Sequence, residues 1–290
     1  MQPRFFQLGT DHLLLNGDST DAEHLSLFWF AAKELGMNNA EICLTDPPYN
    51  CRLSLIGSSD ETRSLRYNTD CRKTPILNDA LNSSSYVDFL YVVLRNCRFP
   101  FYNTRLLMFY SPRQSIEVFK MLERLELPLK SVLIWIKNRP SINYSEFCFQ
   151  SEFIVYAGTT DSKRRNKNKG QSNLFYCPQV QTNKETYYWH PTMKPIKLLR
   201  DLLDATTIVG DVVIDPFAGT GSSLVACHRT GRKWIGIELD PKYCIAALMR
   251  WRYETAKQLP VCEIIDGERR ELSDEELERQ FQEYKAQQSA

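Results

Sequence analysis

The chain reads as an α/β protein, a sheet crossed by helices, and two observations predict it. Short apolar runs alternate with longer stretches of helical spacing, the pattern expected of strands linked by crossover helices. Two of those runs also end abruptly in turn-forming Pro or Gly motifs. Taken in order, the candidate strands are 13–15, 42–44, 106–110, 132–136, 153–156, 212–214 and 234–237. The first is Leu13-Leu14-Leu15, and the later ones are runs such as Val212-Val213-Ile214. Helical spacing falls between them, at 23–35, 86–97, 115–125, 196–205, 222–230 and 241–257. Segment 222–230 is short, but its place directly after a glycine turn supports it.

A chain of 290 residues fits one large domain with appendages, against about 100–200 residues per domain. Residues 1–257 hold all the sheet elements, and 258–290 carries nine acidic and four basic residues, a balance of −5 that suggests a solvated helix or tail. The whole chain has 36 Lys and Arg against 35 Asp and Glu. It is not a polycation, so any nucleic-acid contact must come from a local patch. The nine cysteines form no C-x-x-C pair and no cluster with His, which points to free thiols, a reducing compartment and no metal site. No apolar run approaches the roughly 18 residues of a membrane span, and no signal-peptide layout opens the chain. A cytoplasmic protein without membrane contact is expected.

Two further segments stand apart from the sheet pattern. Residues 51–85 form a long insertion rich in Ser, Asn and Arg, and a loop longer than about 15 residues in a compact domain is commonly functional. Residues 159–189 carry six basic and two acidic residues, a balance of +4, together with Phe175, Tyr176, Tyr187, Tyr188 and Trp189. Cations interleaved with aromatic rings suit phosphates and bases, so Lys163, Arg164, Arg165 and Lys167 are candidate DNA contacts.

The chemistry is carried by short motifs at strand ends. Asp46-Pro47-Pro48-Tyr49 follows Ile42-Cys43-Leu44. The exocyclic amino group of a base is a poor nucleophile because its lone pair is delocalised into the ring. Asp46 and the Pro47 carbonyl could accept its two N–H bonds, and Tyr49 could stack on the base. Such a site cannot be reached within a duplex, so the nucleotide would be flipped out at a cost of a few kcal/mol. A Pro-Pro turn with Asp46 as a cap is the plainer alternative.

Asp215-Pro216-Phe217-Ala218-Gly219-Thr220-Gly221 follows the strand at 212–214. Gly219 and Gly221 let the backbone approach a ligand, and the next helix offers free N–H groups. Glu238, 19 residues beyond Gly219, could accept from ribose hydroxyls. The spacing imitates a dinucleotide fingerprint, but Leu224 occupies the third small position and Asp215-Pro216 interrupts the turn. His190-Pro191-Thr192-Met193-Lys194-Pro195 suits a helix cap, and its place just upstream makes Lys194 a candidate for the methionine end of a cofactor. Asp18, after the first strand, could accept from an adenine amino group, though Gly17-Asp18 alone also suits an ordinary turn. Together the clamp and the cradle read as methyl transfer from S-adenosylmethionine to a base.

The ensemble resembles the amino-group DNA methyltransferases of the β arrangement, in which the catalytic tetrapeptide precedes the cofactor motif. The likeness runs from about Leu13 to Trp251, through Gly17-Asp18, Asp46-Pro47-Pro48-Tyr49, Gln150-Ser151-Glu152, His190 to Pro195, Asp215 to Gly221 and Gly236-Ile237-Glu238. It implies a circularly permuted, Rossmann-like, seven-stranded, mostly parallel sheet with a reversed last strand and helices on both faces. It implies Asp46, Pro47, Pro48 and Tyr49 as catalytic, with Asp18, Asp215, Phe217, Gly219, Gly221 and Glu238 holding S-adenosylmethionine. Double-stranded DNA is the implied substrate, and a homodimer is an assembly the family often adopts. The chain departs from restriction-type members in having only about 30 residues between Glu152 and His190, where they carry a sizeable target-recognition region.

Aspartate at the head of the tetrapeptide usually accompanies adenine N6 transfer in this family, and serine cytosine N4 transfer. Cytosine C5 methylation needs a Pro-Cys nucleophile at a strand end, which this chain lacks. Transfer to cytosine N4, to RNA or to a protein glutamine amide stays open as an alternative, as does a non-catalytic DNA-binding relative of the fold.

Overall fold

The computed structural model describes residues 2–50, 78–98, 104–140, 146–159, 171–180 and 193–289. The strands are β1 (Arg4–Leu8), β2 (His12–Asn16), β3 (Ile42–Thr45), β4 (Arg105–Tyr110), β5 (Leu129–Ile136), β6 (Ser151–Ala157), β7 (Leu174–Tyr176), β8 (Val212–Asp215), β9 (Lys233–Glu238), β10 (Val261–Ile265) and β11 (Glu268–Glu271). The helices are α1 (Ala22–Glu34), α2 (Ser83–Arg98), α3 (Ser115–Arg124), α4 (Ile196–Thr206), α5 (Ser222–Arg229), α6 (Pro241–Glu254) and α7 (Asp274–Ser289). Among the described residues the strands form one sheet in the order β11-β10-β1-β2-β9-β8-β3-β4-β6-β5-β7.

All seven strands read from the sequence are present, as β2, β3, β4, β5, β6, β8 and β9. Neighbours from β2 through β9, β8 and β3 to β4 pair in parallel. Strand β6 is antiparallel to both β4 and β5 and is the reversed strand of the set. The central strands carry continuous apolar runs between polar ends because both faces are covered; β2 and β4 are buried at every position. Leu13 and Leu15 of β2 face α1, while Leu14 faces the opposite side with α6. Helices α1, α2 and α3 cover one face, and α4, α5, α6 and α7 the other.

Four strands widen the sheet beyond the expected seven. At one edge β1 forms a hairpin with β2 and pairs with β10, which pairs with β11. At the other, β7 lies parallel to β5. The stretch after residue 257 therefore does not hang free as a tail. Its helix α7 buries Leu277 and Phe281, spaced i and i+4 on one stripe, and the acidic majority lies outside that stripe. Glu263 of β10 is tied by Arg4 at 2.7 Å and Arg270 at 2.9 Å. Burial opposes its charge, but the two guanidinium groups hold its carboxyl below the usual range. Part of the basic-aromatic segment is also structural, since Phe175 of β7 is buried rather than presented to a ligand.

Candidate active site

Strands β8 and β3 are neighbours, yet their chains leave in opposite directions. From β8 the chain passes through α5 to β9 on one side, and from β3 it passes through α2 to β4 on the other. The carboxyl ends of such a pair open a crevice where α/β sheets take ligands. The two motifs stand there, Asp46 directly after β3 and Asp215 as the last residue of β8.

The tetrapeptide is pinned from several sides. The Tyr86 hydroxyl of α2 donates to the Pro48 carbonyl at 2.8 Å, and Thr45 just before the motif donates to Asp215 at 2.9 Å. Asn50, at φ 54°, exchanges two hydrogen bonds with Leu81. Within this frame Asp46 offers two different oxygens. Oδ2 accepts from the Lys194 ammonium at 2.5 Å, whereas Oδ1 is buried without a hydrogen-bond partner among the described residues. Burial raises the Asp46 carboxyl above its ordinary value, Lys194 and the nearby Tyr49 hydroxyl offset part of that, and the charge of Glu152 adds to it.

Lys194 stands just before α4, 7 % exposed, and its ammonium lies 5.2 Å from the Tyr49 ring centroid and 5.0 Å from that of Phe109. A cation over two aromatic faces gains from the ring quadrupoles when it is desolvated. Burial disfavours its charge, yet Asp46 and Glu152 keep it charged and raise its pKa. The structure thus brings Lys194 to the tetrapeptide. Glu152 completes the group, accepting from Lys137 at 2.6 Å, from the Tyr49 hydroxyl at 2.7 Å and from Lys194 at 3.3 Å. Burial works against its charge, but the two ammonium groups pull its pKa down to about 2.

The glycine turn is held from behind. Asp215 Oδ1 accepts from Thr45 and from the Phe217 N–H at 3.1 Å, and Oδ2 accepts from Ser223 at 2.5 Å. Burial raises this carboxyl to about 6, against those donors. Glu238, ending β9, accepts from the Gly219 N–H at 2.7 Å and from the Asp240 N–H at 2.8 Å. Burial raises it to about 7, the two backbone donors offsetting only part. Gly219 has φ +52°, and a Cβ built on it would meet no atom within 4 Å, so the turn opens onto empty space. Gly221, φ +75°, caps α5 in the left-handed region that favours glycine. Phe217 packs against Phe89 at 5.7 Å. Asp18 accepts from the Thr20 N–H and hydroxyl, both at 2.8 Å, and so shapes the turn after β2. The carbonyl of Glu238 accepts from the Gly17 N–H at 2.9 Å, which joins that turn to the end of β9.

Ten of the expected catalytic and cofactor residues therefore gather at the ends of β2, β3, β8 and β9, and Lys194 reaches the same place from outside the sheet. Lys163, Arg164, Arg165 and Lys167 lie outside the described residues, as do His190 to Thr192 and most of the 51–85 insertion. Lys137 and Phe109 went unread, because an apolar strand run gives no sign of which end faces a site. Glu152 carried a signal in Gln150-Ser151-Glu152, but its role depends on partners far away in sequence.

A mixed sheet, parallel from β2 to β4, with a carboxylate motif and a glycine turn side by side at its switch point, places the chain in the Rossmann-like α/β class. Comparison with known proteins agrees. A family profile described as DNA methylase, of the N6/N4 type, matches residues 40–249. The chain belongs to that family. It is 22 % identical over 248 residues to the DNA adenine methyltransferase YhdJ of Escherichia coli, covering 75 % of this chain and 78 % of that protein. Several type II methyltransferases align over about half of their own length. Among solved structures, the cytosine-N4-specific PvuII DNA methyltransferase superposes with a TM-score of 0.61 at 16 % identity, over 95 % of this chain and 94 % of that one. The complex of M1.HpyAVI with SAM superposes with a TM-score of 0.53 at 19 % identity, over 82 % and 97 % of the two chains.

Proposed function

We propose that this protein transfers a methyl group from S-adenosylmethionine to the N6 amino group of adenine in double-stranded DNA. The observation that carries the reading is the Oδ1 oxygen of Asp46, buried at the switch point and without a hydrogen-bond partner among the described residues. A buried acceptor left without a donor costs about 1–3 kcal/mol, which a donor arriving from a substrate recovers. The open space before Gly219 and the two acceptors of Glu238 suit the adenosyl part of the cofactor, and Asp18, Phe217 and Gly221 complete the candidate cradle.

When bound, S-adenosylmethionine supplies an electrophilic methyl group on a sulfonium. The chain's own residues do the rest. Asp46 Oδ1 accepts one N6–H and the Pro47 carbonyl the other, which turns the nitrogen lone pair out of conjugation and aims it. Tyr49 stacks on the flipped base, with Pro48 fixing the approach of the ring. The Lys194 ammonium keeps Asp46 from swinging by holding its other oxygen. Lys163, Arg164, Arg165 and Lys167 contact DNA phosphates.

Adenine is favoured over cytosine by the aspartate at position 46, and YhdJ, a named adenine methyltransferase, aligns with most of the chain. The test is nucleoside digestion of duplex DNA after reaction with the cofactor. N6-methyladenine is expected. N4-methylcytosine alone would overturn the base assignment, and no methylated nucleoside would overturn the enzyme.

A further inference from the structure

Glu152 is a part-buried carboxylate to which the chemistry above gives no role, yet it accepts from three donors at the centre of the site. It stands on the reversed strand β6, opposite Trp135 of β5, with Lys137 just beyond the end of β5. Strand pairing does not require this ion pair. At that end the Lys137 N–H already donates to the Gln150 carbonyl at 2.9 Å, and the Gln150 side chain donates back to the Lys137 carbonyl at 3.0 Å. A buried ion pair is moreover a poor structural device, since apolar residues of similar size serve as well or better. Its geometry is directed instead at the tetrapeptide.

One Glu152 oxygen, Oε2, takes both the Tyr49 hydroxyl and the Lys194 ammonium, while Oε1 is held by Lys137. Tyr49 turns about two side-chain torsions; a fixed hydroxyl oxygen sets the direction of the ring's long axis, and the preference of a phenol O–H for the ring plane biases the second torsion. Lys194 has a long flexible stem, and with Asp46 as its only anion its ammonium could sit between the two Asp46 oxygens. Drawn also toward Glu152, it meets Oδ2 and leaves Oδ1 open. We propose that Glu152, braced by Lys137, is a positioning residue that orients the Tyr49 ring and keeps Asp46 Oδ1 free for the target amino group. This rests on the methyl-transfer reading above.

The test uses the full chain, S-adenosylmethionine and duplex DNA. Glu152→Gln keeps the shape and an acceptor but loses the charge that shares Lys194. Its kcat is expected to fall about 10- to 100-fold, with cofactor Kd and DNA KM each within about threefold of the parent. Tyr49→Phe removes the hydroxyl alone, and the double variant should be no slower than Glu152→Gln, because both act through one network. A parent-like kcat for Glu152→Gln overturns the inference, as do multiplicative losses in the double variant or cofactor and DNA binding lost in step with kcat. Should Glu152→Gln not fold by circular dichroism, Lys137→Met removes only the brace. A several-fold lower kcat at unchanged cofactor Kd is then expected, and a parent-like kcat overturns the proposal. A parent protein that methylates no base sinks the underlying function and this inference with it, an outcome told apart because it needs no variant.

Discussion

In the turn after β8 both oxygens of Asp215 are occupied, by Thr45, Phe217 and Ser223, and the Glu238 carboxylate closes on the Gly219 N–H. In the loop after β3, one strand away, Asp46 keeps an oxygen with no partner among the described residues and faces a run of alternating charges formed by Lys194, Glu152 and Lys137. The first loop is self-satisfied and presents backbone and open space. The second is poised, with an acceptor left open beside a chain of closely paired ions. A cradle gains from rigidity before its ligand arrives. A reacting centre gains from an acceptor whose partner comes only with the substrate.

The widest separation of the two loops should come from Asp46→Ala. Loss of the acceptor is expected to lower the transfer rate by on the order of 100- to 1000-fold or more, with cofactor Kd by calorimetry within about twofold. Cofactor binding lost as completely as activity would erase the division between the loops. Next in size at low ionic strength is the replacement of Lys163, Arg164, Arg165 and Lys167 by Ala. It should weaken DNA binding at all sequences and flatten the slope of log affinity against log salt by up to about 3–4 units, without moving cofactor Kd. A parent-like slope would remove the segment from the DNA interface.

Glu238→Ala tests the opposite loop. Its hydrogen bonds to a charged acceptor are worth about 1.5–3 kcal/mol each, so cofactor Kd should rise about 10- to 100-fold while the rate at saturating cofactor changes little. An unchanged Kd in the folded variant would reduce Glu238 to a tether for Gly219. The smallest effect is a pH dependence. Glu238 is raised to about 7 in the free protein, and donors from the ribose would favour its charged form. Cofactor Kd should therefore weaken by up to about tenfold from pH 8 to pH 6, and Glu238→Gln should flatten that change. The same raised values, about 7 for Glu238 and about 6 for Asp215, favour the protonated fold. The ligand-free protein should gain stability as pH falls through this range toward the ordinary carboxylate values, measured as a rising Tm.

Much of this was legible in the chain because it rests on short-range chemistry. An apolar run makes a strand, Pro47-Pro48 makes a rigid exit, and Gly219 and Gly221 stand where positive φ is needed. Composition misled where burial depends on partners. Segment 258–290 reads as a solvated acidic helix or tail, and α7 is such a helix, but nothing in its composition shows that Leu277 and Phe281 pack on α6 and the sheet or that β10 finds β1 from the other end of the chain. Phe175 reads as a base-stacking aromatic and is buried beside β5.

By itself the sequence determined the seven central strands, the two strand-end motifs and their order, since each is written within a dozen neighbouring residues. Tertiary structure alone decided that Lys194 meets Asp46 across 148 positions and that Glu152 meets Tyr49 across 103. No local pattern encodes those pairings. They exist because the strand order sets β6 beside β4 and the chain entering α4 over the end of β3, and because buried charges in a low-dielectric crevice must find one another.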